Sequence, residues 1–167
     1  MRDRKMAGAL RTFEAVRSAG FLSGFTLALF RQSYEEAAAP YPWKHAGGGE
    51  LPHLFTRFEG SFLTDLMTRA VQLGSPQVSR SRVGLYCLAV PVEDGDIQAC
   101  IAGCGVRDSC LDLVTVEAMA RKEGTDPASF LEELDALPVL SFGSVSEVAA
   151  RVMALVRLLG GGDYGES

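Results

Sequence analysis

Apolar and polar positions recur with two different periods along this chain, and the change of period divides it into helices and strands. Helical spacing predicts helices over residues 4–19 and 59–73 and three more near residues 111–123, 126–137 and 144–159. Short apolar or alternating runs predict strands near residues 25–30, 77–81, 83–92 and 96–106. This order predicts an α+β fold with a PAS/GAF-like central antiparallel sheet flanked by helices. We expect one domain over residues 1–160 and a flexible, glycine-rich tail over residues 161–167.

Residues 34–49 interrupt this regularity. Pro40, Pro42 and the run Gly47-Gly48-Gly49 argue against a continuous helix or strand, and the glycine run is interpreted as a flexible joint. Loops of this length usually carry function or are disordered. Because Trp43 lies in the loop, we predict that Trp43 covers part of a ligand site.

The dipeptide Asp94-Gly95 lies between two apolar runs and predicts a tight β-hairpin, because a type I′ turn requires positive φ at both central residues. With that turn, Glu93 faces Asp96 and Ala89 faces Cys100. Side chains alternate between the two faces of a strand pair. We call one face the thiol face; it carries Leu85, Cys87, Ala89, Cys100, Ala102 and Cys104. We call the other the branched face; it carries Tyr86, Leu88, Val90, Ile97, Ala99 and Ile101.

The two faces differ in size. The branched face is bulky and is expected to pack against helices, whereas the small side chains of the thiol face leave room for something to approach it. That occupant is either a ligand or a closely packed helix, and the sequence leaves both open.

Charge and composition exclude several classes of function. The net charge of −5 argues against a nucleic-acid partner, which calls for a basic surface. No run reaches the roughly 18 to 20 apolar residues that cross a bilayer, and no signal-peptide apolar core follows the first residues. We therefore predict a cytoplasmic protein without a membrane partner, whose four cysteines are free thiols.

The cysteines offer the main candidate chemistry. Cys100 and Cys104 form a C-x3-C pair, a spacing that does not match the common zinc or iron–sulfur motifs, so core packing is the preferred interpretation. Cys110 lies where a helix begins, which lowers thiol pKa values, but the two histidines, His45 and His53, are distant in sequence. We predict no catalytic residue, metal or cofactor, and keep a thiol-dependent enzyme using Cys110 or Cys104 as a weaker alternative.

The last helix allows two interpretations. Its apolar residues follow 3-4-3-4 spacing, which suits both a core stripe and a coiled-coil seam in a parallel homodimer. These residues are Val145, Val148, Val152, Leu155 and Leu159.

The run from Gly84 to Val92, followed by Asp94-Gly95, resembles the central strand pair of the PocR-type sensory domain, a PAS/GAF-like module of bacterial transcription regulators and sensor kinases. The resemblance continues through the two helices that end at Leu137-Pro138-Val139-Leu140 and into the last helix. It covers roughly residues 74–159, while the first third matches only in its order of helix, strand and helix. The family pattern has Cys-His before the Gly-Leu pair, where this sequence has Ser81-Arg82, so any role of that pair does not transfer.

The resemblance implies a pocket between sheet and helices for a small hydrocarbon-derived molecule. By resemblance, Arg82, Leu85, Cys87 and Cys104 line it, and Arg82 is suited to pair with a small acid. Together with Cys100 of the thiol face and Trp43, these residues form the predicted ligand site. The expected function is that of a non-catalytic small-molecule sensor that signals through a homodimer. The alternative is a ligand-free dimerisation module in which Phe and Met from the second helix fill the thiol face.

Overall fold

The fold is an α+β arrangement in a PAS/GAF-like layout, as the sequence predicts. The computed structural model describes residues 2–19, 25–32, 43–48, 60–95 and 97–164. These contain five strands in one antiparallel sheet of order β2-β1-β5-β4-β3. The strands are β1 (Thr26–Gln32), β2 (Trp43–Gly48), β3 (Gln77–Arg80), β4 (Leu85–Asp94) and β5 (Ile97–Arg107). The helices are α1 (Arg2–Arg17), α2 (Gly60–Leu73), α3 (Leu113–Lys122), α4 (Pro127–Asp135) and α5 (Phe142–Tyr164). None of these helices is both long and apolar enough to span a bilayer.

The predicted hairpin is present, but its predicted register is wrong by two residues. Asp94 pairs with Ile97, so that Gly95, not Asp94, is the first residue of the turn, and Gly95 has a φ of +62°. Ala89 therefore faces Ala102 instead of Cys100. Glycine adopts this left-handed conformation without a steric cost, which explains the shift toward Gly95. Because a shift of two residues keeps every side chain on its face, the predicted division into two faces is confirmed.

A β-bulge interrupts the hairpin near the start of β4. Leu88 pairs with Gly103, whereas Tyr86 pairs with Val106, so Cys87 lies opposite the two residues Cys104 and Gly105. The extra residue, in β5, shifts the pairing of the two strands by one residue and increases the local twist. Leu85 consequently pairs with Arg107, one residue further along β5 than it would without the bulge.

Each face of the sheet has its own core and its own helices. Behind the branched face lie α1 and α5, which contribute Phe13, Val16, Val145, Ala149 and Val152 to the core. In front of the thiol face lie α2, α3 and α4. Of the predicted branched-face residues, the side chain of Ile97 lies outside the described part of the structure. The sheet is thus covered by helices on both sides.

The region predicted to be irregular contains an edge strand. Residues Trp43–Gly48 form β2, which pairs with β1, so the expectation of a continuous loop and of a flexible glycine joint is wrong here. A Cβ on Gly47 would come within 2.6 Å of Leu10, and one on Gly48 within 2.6 Å of Phe13. The glycines instead let α1 approach the sheet edge closely, a role that glycine has in strands. Residues 33–42 and Gly49 lie outside the described ranges.

The last helix serves the core of its own chain. Val145 and Val152 have no accessible surface, Val148 and Leu155 are half-buried, and Leu159 is exposed. The five residues of the predicted seam therefore do not form one exposed stripe. The α5 backbone continues five residues beyond the predicted end, to Tyr164, while residues 165–167 lie outside the described part. A mobile tail over residues 161–167 stays a prediction.

Candidate functional site

The thiol face lies at the centre of the molecule and is closed. Its six side chains each have an accessible surface of 0%. A side chain with no accessible surface touches no space large enough for a water molecule. The occupant of the face is therefore protein, and a ligand can reach these residues only if a covering element moves.

Helix α2 provides the first part of this cover. Leu63, Leu66, Met67 and Ala70 follow the helical spacing of three and four residues and are all buried against the thiol face. Helix formation over this segment was predicted from that spacing, and the large apolar side chains of α2 fill the room that small sheet residues leave.

Trp43 connects the edge strand β2 to helix α2. It is buried in the same core, and its indole Nε1–H donates a hydrogen bond of 3.0 Å to Thr68 Oγ1 on α2. Thr68 in turn donates to the carbonyl oxygen of Thr64, so its hydroxyl is engaged on both sides. Trp43 therefore belongs to the thiol-face core, which it reaches from a strand, while its part in a ligand site stays a prediction.

Helices α3 and α4 provide the second part of the cover. Each contributes two buried side chains to the thiol-face core, namely Val116, Ala120, Phe130 and Leu134. The Asp126 carboxylate caps the start of α4, since it accepts a hydrogen bond of 3.2 Å from the Ser129 amide. The two helices pack against each other and together cover part of the thiol face.

The buried thiols are poorly suited to chemistry. Burial raises the pKa of the Cys100 and Cys104 thiols well above its ordinary value, so both are neutral near pH 7. The thiolate is the nucleophile and the metal ligand, and a neutral buried thiol behaves as a small apolar group. Within the described residues, no three His, Cys, Asp or Glu side chains lie close enough together to hold a metal ion.

The exposed thiol of Cys110 has no histidine base on its side of the sheet in the described part. The carbonyl oxygen of Cys110 accepts a hydrogen bond from Arg80 of β3, whereas His45 lies on β2. These two strands are opposite edges of the sheet, roughly 19 Å apart at about 4.8 Å per strand. A Cys110–His45 pair is thus excluded, and His53 lies outside the described residues.

Arg82 is separated from the other predicted site residues. It is exposed in the turn before β4, whereas Leu85, Cys87, Cys100 and Cys104 are fully buried in one cluster with Trp43. The two groups differ in burial because removing a charged guanidinium from water is costly, whereas burying apolar side chains is favourable.

The sequence analysis missed Arg80, two residues earlier. Arg80 Nε donates to Asp108 Oδ2 at 2.9 Å, and this hydrogen bond is the main reason that the pKa of Asp108 lies below its usual range. The same pair lies beside Tyr86, whose pKa is raised by burial and then by the Asp108 charge. These contacts tie the β3 edge to the chain that leaves β5.

Arg107 was missed as well, and it is a buried charge at the end of β5. Its Nη1 donates to the Asp108 carbonyl oxygen at 2.9 Å, and its Nη2 lies 3.3 Å from Asp135 Oδ1 at the end of α4. Its Nε–H is buried without a partner. Its main chain also pairs with Pro138 and Leu140. Arg107 therefore connects the sheet to the end of the α3–α4 cover, and a sequence pattern gives no signal for it because its partners lie about 30 residues away.

Comparison with known proteins gives no further assignment. No protein-family model matches the chain, and neither the characterised proteins nor the solved structures compared with it give a match. The geometry described above is therefore the basis for a functional proposal.

Proposed function

We propose that this protein is a non-catalytic sensor domain of a bacterial signalling or transcription-regulatory system, located in the cytoplasm, that binds a small organic molecule between the thiol face and its helical cover. The observation that carries the proposal is the composition of that face. Five of its six residues are alanine or cysteine, and the bulk that fills it comes from separate helices. Moving those helices would expose a concave apolar space at the centre of the sheet. The resemblance to PocR-type domains adds to this argument.

The sensor works by a shift between two states. In the closed state α2 and the α3–α4 pair fill the site, and a ligand binds only to an open state in which part of the cover has moved. If the open state is about 1% populated, the apparent Kd is about 100 times the intrinsic one. Ligand binding then changes how the helices lie on the sheet, which is the signal passed to a partner.

The ligand class follows from the side chains. Thiol, methyl and leucine groups favour a hydrocarbon-derived body. Arg82, exposed in the turn before Leu85, is the residue that would meet a carboxylate of a small acid at the rim. Arg82→Ala is expected to weaken binding of acids and leave binding of neutral analogues unchanged.

Thermal-shift screening with short acids, alcohols and diols tests the proposal, combined with thiol labelling. A ligand at 100 times its Kd stabilises the folded state by about 2.7 kcal/mol. The same ligand should change the labelling rates of the three buried cysteines and leave that of Cys110 unchanged. Ala102→Val narrows the thiol face and should abolish binding, whereas Ala99→Val, equally buried on the branched face of the same strand, should keep it.

A second function, a ligand-free dimerisation module of the same fold, is favoured by the complete closure of the thiol face. The exposed leucines of α5, Leu158 and Leu159, offer apolar surface to a second copy. A dimer in sedimentation, with no stabilisation by any compound of the screen, would decide for this function and against the sensor.

A further inference from the structure

An open groove is lined by residues of α4 and of the segment that begins α3, and two of its leucines also pack against the thiol-face core. It has a volume of about 470 Å³. We call it the acidic groove; it is lined by Leu111, Leu113, Ala128, Leu131, Glu132 and Asp135. Four of these residues are apolar and two are carboxylates, and none is basic.

The shape of the acidic groove follows the axis of α4. Ala128, Leu131 and Asp135 are spaced by three and four residues, so they lie on one face of that helix. Seven residues of helix span about 10 Å, which is the length of two helical turns. An occupant that presents apolar side chains at i, i+3 or i+4, and i+7 matches this length.

The groove is open and its apolar surface continues beyond it. Leu113 is 59% exposed, and Val114 beside it is 78% exposed. Neither side chain belongs to the buried side of α3, which is formed by Val116 and Ala120. Small molecules prefer enclosed pockets, so an open surface of this kind favours a protein partner.

The charges decide the kind of partner. Glu132 is exposed and has no ion-pair partner among the described residues. Asp135 is 76% exposed and meets Arg107 through a single 3.3 Å contact, which leaves its second oxygen available. With four apolar side chains and two carboxylates in its lining, the groove complements an apolar stripe flanked by lysine or arginine.

We propose that the acidic groove is the docking site for a basic amphipathic helix of a partner protein. Its apolar side chains would pack between Leu113 and Leu131, and its basic side chains would pair with Glu132 and Asp135. This site goes beyond the proposed sensor function, because it does not require a ligand on the thiol face.

Binding of a synthetic helix to the full chain tests the proposal. The probe is a fluorescent 15-residue peptide with leucines at i, i+4 and i+7 and lysines beside them, measured by anisotropy. We expect saturable one-to-one binding that weakens with salt, since the charges are exposed. The counterpart with glutamates in place of the lysines should not bind.

Two matched pairs of variants locate the binding. Glu132→Lys and Leu113→Ser should each weaken binding about tenfold, as expected for reversing a complementary charge or removing an anchor contact. Glu133→Lys, one residue outside the groove, and Leu158→Ser, at an exposed leucine of α5 behind the branched face, make the same changes elsewhere and should alter the Kd less than about twofold. Circular dichroism and the Tm of each variant establish that it is folded.

Three outcomes would overturn the proposal. The lysine peptide does not bind, or Glu132→Lys and Glu133→Lys weaken it equally, which indicates a general attraction to an acidic protein. In the third outcome hexylamine displaces the peptide at the peptide's own Kd, which makes the groove a small-cation site.

Discussion

The two faces of the sheet reach the same burial by opposite means. On the branched face the sheet supplies large side chains such as Leu88 and Ile101, and α5 meets them with Val145 and Ala149. On the thiol face the sheet supplies alanine and cysteine, and α2 meets them with large side chains such as Met67. On the thiol face large helix residues therefore face small sheet residues, whereas on the branched face both the sheet and the helices supply bulk, since α1 adds Phe13.

The two cores differ in which elements supply their large side chains. The branched face brings its own bulk with the hairpin, so moving a helix away would leave apolar side chains in water. The thiol face obtains its bulk from α2, α3 and α4, so moving a helix away would leave a hollow. The proposed ligand binding relies on this second arrangement.

Neighbouring residues of β5 give the largest expected contrast between the faces. Ile101→Ala should destabilise the protein by about 4 kcal/mol, because it removes bulk that the sheet supplies. Cys100→Ala, equally buried on the thiol face, should cost only about 1 kcal/mol, since one sulfur is lost. Urea unfolding measures the free energy of unfolding of both variants. Equal decreases would contradict the claim that the sheet supplies large side chains to the branched-face core but not to the thiol-face core.

Two methionines test the covers themselves. Met67→Ala on α2 should cost about 3 kcal/mol and leave a cavity against the thiol face. Thiol labelling of Cys87, Cys100 and Cys104 should then become faster through local opening, and this increase in rate should not depend on the denaturant concentration. Met153→Ala on α5 makes the same change behind the branched face and should accelerate labelling only through global unfolding. Faster local labelling in Met153→Ala would contradict the assignment of the covers.

The smallest expected effect is at the edge of the sheet, where Asp108 joins β3 to the end of β5. Its pKa is lowered in the folded protein, so its contribution to stability is present above the usual carboxyl pKa of about 4 and is lost as the pH falls through the lowered value. Asp108→Asn should therefore lower the Tm at pH 7 and match the wild type near pH 2. Asp65→Asn, at an exposed position of α2, serves as the control, and a Tm difference for Asp108→Asn that persists at pH 2 would argue against the Arg80 pair as its cause.

The candidate site was predictable to the extent that it depends on local pattern. Alternation along β4 and β5 placed four of the predicted ligand residues together, and the two-residue error in register did not matter because side chains keep their face. Trp43 reaches the same core through β2. The glycines of β2 have low β propensity, so the sequence does not predict this strand. Arg80 and Arg107 depend on partners about 30 residues away, so no local signal distinguishes them from other surface arginines.

By itself, the sequence determined the order of the five helices and of the four strands other than β2, the hairpin and the division of its side chains between two faces, because periodicity and a glycine turn act over a few residues. Only the tertiary structure decided the bulge, the edge strand β2 and what occupies the thiol face. Those features depend on pairing and packing between distant segments, such as Gly48 under Phe13 and Met67 over the cysteines. The room that the sequence left open on the thiol face is filled by side chains of α2, α3 and α4, because only the folded chain brings those helices against the sheet.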